Sequence, residues 1–104
     1  LEIWKKSIDL AIEIYNLTQK GSLNNEFSLK DQIRRSATSV SNNIAEGFEY
    51  GNNNQLVRFL RIAIGSLGEV RSQIVVLQRL NFITSDEYQK IYNDCKLFQN
   101  RFLV

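Results

Sequence analysis

The chain keeps few of the residue types that do chemistry. It has no histidine and a single cysteine in 104 residues, so the commonest general base and transition-metal ligand is missing. Cys95 alone can build neither a zinc site nor a Ser/His or Cys/His nucleophile. What remains is a group of arginines, Arg34, Arg35, Arg58 and Arg61, and two carboxylates in polar surroundings, Glu46 and Glu69. Arginine offers a planar fork to phosphate or carboxylate. The two carboxylates could in principle serve as acid and base or hold a hard cation, but they have no third acid beside them and no glycine-rich phosphate loop. The chemistry therefore points to binding rather than catalysis, with no cofactor, metal or catalytic residue expected.

These residues need elements to position them, and the spacing predicts helix almost throughout: 2–20, 28–47, 54–80 and 85–103. The first helix repeats Trp4, Ile8, Ala11, Ile12 and Tyr15 at steps of three and four, and the second repeats Leu29, Ile33, Ala37, Val40 and Ile44. Leu56, Phe59, Ala63, Leu67, Val70, Ile74 and Leu77 mark the third, and Tyr88, Ile91, Tyr92, Cys95, Phe98 and Phe102 the fourth. Ser28 with Asp31, and Thr84 with Glu87, read as capping boxes; Gly21 and Gly47 read as helix ends. Gly51 among asparagines marks a turn. The expected fold is all-α, an antiparallel up-down-up-down four-helix bundle in one domain over residues 1–104. Apolar types make 43% of the chain and the net charge is only +2. An unpaired cysteine and the lack of a long apolar run or leader predict a cytoplasmic protein without a membrane partner.

Some faces exceed what one core can absorb. Opposite the Trp4 stripe, the first helix carries Ile3, Leu10, Ile14 and Leu17, and this second face is expected to form an oligomer interface. Val57, Leu60, Ile64 and Val75 widen the apolar arc of the third helix. On the second helix Gln32, Arg35, Ser39, Asn42, Asn43 and Glu46 form a polar stripe, and on the third Arg58, Arg61, Gly65, Glu69, Ser72 and Arg79 form another. Gly65 and Gly68 each cost a helix interior about 1 kcal/mol, which predicts close approach of another backbone.

The runs Asp31-Gln-Ile-Arg-Arg-Ser-Ala37, Ser39-Val-Ser-Asn-Asn-Ile-Ala-Glu-Gly47 and Phe59-Leu-Arg-Ile-Ala-Ile-Gly-Ser-Leu-Gly-Glu69 carry a family resemblance. The chain resembles the bacterial four-helix-bundle proteins first described as products of intervening sequences in 23S rRNA genes, and the match follows the whole chain in order. It departs from that pattern in lacking the usual prolines, one in the loop after the first helix and one where Ser41 stands. The resemblance implies a ring-forming homo-oligomer, typically a pentamer. It also implies kinship with the accessory protein of diversity-generating retroelements, which works with a reverse transcriptase and RNA. Carried over to this chain, the signature positions are Gln32, Arg34, Arg35, Ser39, Asn43, Glu46, Arg61, Gly65, Ser66 and Glu69.

Two functions fit these residues. In the first, the chain is a non-enzymatic ring that binds RNA or DNA through Arg34, Arg35, Arg58 and Arg61, five copies of a +2 chain carrying about +10. In the second it is an assembly adaptor for a protein partner such as a reverse transcriptase, its arginine stripes serving subunit interfaces.

Overall fold

The computed structural model describes residues 1–103 and places four helices in the expected order: α1 (Glu2–Thr18), α2 (Phe27–Glu49), α3 (Asn53–Arg79) and α4 (Ser85–Asn100). Short 3-10 turns follow α1 (Gly21–Asn25) and α4 (Arg101–Leu103). Among the described residues there is no strand, and the helices make the all-α four-helix bundle that the periodicity predicts. The longest, α3, sets the length of a body 44 × 24 × 18 Å across.

The core is a single cluster built from Ile33, Ala37, Val40 and Ile44 of α2, Ala63, Leu67, Val70, Ile74 and Leu77 of α3, and Ile91, Cys95 and Phe98 of α4. These are the predicted stripes. On α1 the outcome is reversed. Leu10, Ile14 and Leu17 are buried, with Ile3 packed against the same cluster, so the face expected to join subunits is the face that closes the bundle. Trp4, Ile12 and Tyr15 are instead 40%, 55% and 50% exposed. The physical reason lies partly in the two hydroxyls sharing the inner face. Ser7 and Thr18 are fully buried, and each bonds a carbonyl of its own helix, Trp4 O and Ile14 O respectively. Neither is left unsatisfied by burial, so they do not spoil an otherwise aliphatic stripe. Tryptophan and tyrosine tolerate a half-wet position because each has a polar handle.

Helix boundaries follow local chemistry. Asn52 accepts from the Gln55 amide at 2.9 Å to open α3, and Thr84 with Glu87 forms the predicted reciprocal capping box of α4. Ser28 caps nothing. Helix α2 begins one residue earlier, after Glu26, because buried Leu23 anchors the preceding 3-10 turn and Lys30 Nζ ties its Asn24 carbonyl at 2.8 Å. Gly47 does not end α2 either. It is buried against α3, where an added Cβ would lie 3.2 Å from Phe59 Cβ and 3.2 Å from Leu56 Cδ1. The helix continues to Glu49, and Gly51, at φ +70°, reverses the chain. Between α3 and α4, Asn81 takes φ 65° and the Phe82 amide bonds Leu77 O at 2.9 Å, a Schellman closure.

Candidate interaction faces

The sequence-predicted arginines separate into engaged and free. Arg34 points across to the end of α1, where Nε donates to Thr18 Oγ1 at 2.8 Å and Nη2 to Tyr15 O at 3.3 Å. Its guanidinium carbon sits 3.9 Å from the Tyr15 ring centroid. A cation here complements the negative end of α1 and caps a late carbonyl. Arg34 thus has a structural role at the end of α1, beside its expected place among the nucleic-acid ligands. Arg35 pairs with Asp31 one turn back at 2.9 Å, both exposed. Arg58 and Arg61 project from the outer side of α3, and neither has an ion-pair partner among the described residues. Arg79 lies further along the same side.

At the turn joining α2 and α3, Tyr50 and Phe59 stack with centroids 5.4 Å apart and planes 7° from parallel. The Arg58 guanidinium carbon lies 5.7 Å from the Phe59 ring, and Tyr50 is 57% exposed. Sequence inspection missed this cluster. Its signal was two aromatics bracketing the glycine-asparagine turn, which the turn chemistry overshadowed.

Midway along the α2–α3 seam, three signature residues meet. Ser39 Oγ and Ser66 Oγ are 2.8 Å apart, and Asn43 Nδ2 donates to Ser39 O at 2.7 Å and Ser39 Oγ at 3.0 Å. This network joins two helices whose polar stripes the sequence treated as separate faces. Gln32, Glu46 and Glu69 remain exposed, and neither Glu46 nor Glu69 has an ion-pair partner among the described residues; the register puts Glu46 near Phe59, well along the seam from Glu69. Gly65 admits no close neighbour within the chain: a Cβ there would meet nothing within 4 Å, and at Gly68 only Arg71 Nη2 at 4.0 Å. The expected close backbone approach is not found among the described residues.

Burial pushes the Cys95 thiol up to about 12, so it stays protonated at neutral pH and is no nucleophile. Among the described residues no group of three His, Cys, Asp or Glu is placed to hold a metal. Among the described residues no helix is long and apolar enough to cross a membrane.

Fold and faces together define an all-α helical-bundle protein. The family model for the 23S rRNA-intervening sequence protein matches residues 1–102, and the chain belongs to that family. It is also similar to a crystal structure from Bacteroides thetaiotaomicron, described as a protein with unknown function from the S23 ribosomal protein family. The TM-score is 0.87 at 27% identity, over 97% of this chain and 94% of that one. No curated protein matches the sequence.

Proposed function

We propose that the chain is a non-enzymatic, cytoplasmic assembly subunit that forms a ring of identical copies and holds RNA on the basic outer side of α3. The observation that carries the RNA half is the cluster at the α2–α3 turn. An exposed tyrosine stacked on phenylalanine, with Arg58 over the stack and Arg61 one turn on, combines a base-stacking platform with phosphate-neutralising cations. Repetition around a ring multiplies a field that is weak in one copy. Self-association is supported by the Trp4, Ile12 and Tyr15 face, which the chain itself leaves about half exposed. The ring size of five follows the family resemblance.

A second function, adaptor for a protein partner such as a reverse transcriptase, is favoured by one observation: Gly65 is small for no reason within the chain. The double variant Arg58→Gln/Arg61→Gln separates the two. Loss of RNA binding with unchanged particle size supports the RNA role. Smaller particles assign these arginines to the subunit interface. Wild-type binding should fall with salt with a logarithmic slope of about −0.7 per phosphate contacted on single strands. A wild-type assembly that binds neither RNA nor DNA at low salt leaves the adaptor role.

A further inference from the structure

Helices α1 and α4 run antiparallel, and Lys90 sets their register by pairing with Glu13 across the seam and with Asp94 on its own helix at 3.2 Å. Beside that bridge the two helices leave an open cleft of about 310 Å³, at the small end of ligand sites. Buried Leu10 and Phe98 line it, and Leu97, 66% exposed, stands at its lip.

The charges around this cleft are sorted by position. With Glu13 opposite Lys90, each step back along α1 meets a step forward along α4, so Asp9 faces Asp94 in the middle and Lys6 faces Leu97, with Arg101 four residues beyond Leu97 on the same side of the middle. Neither Lys6, Arg101 nor Asp9 has an ion-pair partner among the described residues. Measured as rise along the axis, Lys6 stands about 4.5 Å from Asp9 on α1 and Arg101 about 10 Å from Asp94 on α4. A simple anion would meet the carboxylates and a simple cation the Lys6–Arg101 end. A ligand bearing both charges satisfies both.

We propose that this cleft binds a short peptide with free termini and apolar side chains. Its ammonium lies against Asp9 and Asp94, its carboxylate between Lys6 and Arg101, and its side chains on Leu10, Leu97 and Phe98. Length follows from the charge separation. In one amino acid the ammonium and carboxylate are held about 2.5 Å apart, whereas a second residue adds about 3.5 Å and reaches the spacing of the cleft. The site is separate from the α3 face and from self-association, and stands if either of those fails.

The test is calorimetric titration of the whole protein with L-leucyl-L-leucine, with amide NMR shifts to locate the contact. Saturable binding with shifts confined to α1 and α4 is expected. N-acetylation or C-terminal amidation of the peptide, and the exposed-site variants Arg101→Glu and Leu97→Asp, should each weaken it about 10-fold or more with helix content unchanged. Arg58→Gln/Arg61→Gln should leave it unaltered. No saturable binding up to about 10 mM, or capped peptides binding equally well, overturns the site. Free L-leucine binding as tightly as the dipeptide overturns the spacing on which the ligand class rests.

Discussion

Arg34 shows how much one side chain can hold when its hydrogen bonds and its stacking act together. It satisfies Thr18 Oγ1 and Tyr15 O while its guanidinium carbon sits over the Tyr15 ring, so it closes α1 from a position 16 residues further along the chain. Replacing it with methionine keeps some stacking and removes the charged hydrogen bonds, which should cost about 1.5–3 kcal/mol in urea denaturation. Arg34→Lys should recover only part of that, because an ammonium keeps the charge at the helix end but not the fork. Glu87 gives a second residue-scale expectation. The Thr84 backbone amide, the largest cause, holds its carboxyl below the usual 4.5. Its stabilising contribution is therefore full above the unfolded carboxylate value and is lost as pH falls through the lower folded value. Stability measured from pH 6 downward should show this acid loss in the wild type, and Glu87→Gln should flatten that part of the curve.

At the scale of the helix, the close approach expected at Gly65 is found instead at Gly47, which the sequence marks as a helix end. Alanine at Gly47 must displace Phe59 Cβ, which is fixed close to its own backbone, whereas at Gly65 it enters open space. Gly47→Ala should lower stability by about 1 kcal/mol despite its better helix propensity. Gly65→Ala should raise it by about 0.5–1 kcal/mol. Thermal melts of the two variants should shift in opposite directions. This contrast also marks the limit of what was legible beforehand. Helix order, the core stripes of α2, α3 and α4 and the Thr84 capping box follow from periodicity and local chemistry, so the sequence carries them openly. The choice between two apolar faces on α1 does not, because both repeat at the same spacing. Deciding it requires knowing that Ser7 and Thr18 can be buried at no hydrogen-bonding loss. Likewise, the two polar stripes are readable one helix at a time, but the Ser39–Ser66 contact depends on the register between helices. The engagement of Arg34 depends on where α1 ends.

For the whole molecule, the reversal on α1 changes which substitutions can test assembly. A charge at Ile14 goes into the core, where Ile14 is 0% exposed, so Ile14→Glu should unfold the chain whether or not it associates, at a cost of several kcal/mol for an unpaired buried ion. A charge at Ile12, 55% exposed, meets water in the single chain and an apolar surface only in an assembly. Ile12→Glu should therefore leave far-UV helix content and the urea midpoint of the dilute protein within about 0.5 kcal/mol of wild type. At about tens of micromolar, analytical ultracentrifugation should show an oligomeric wild type and a monomeric Ile12→Glu. Tyr15 is the less clean choice on this face, since its ring also carries Arg34, and its loss would mix the two effects. A wild type that sediments as a monomer at these concentrations would show that the Trp4–Ile12–Tyr15 face does not join copies of this chain. The arginines of α3 would then face any nucleic acid one chain at a time, with only the +2 charge of a single chain to hold it.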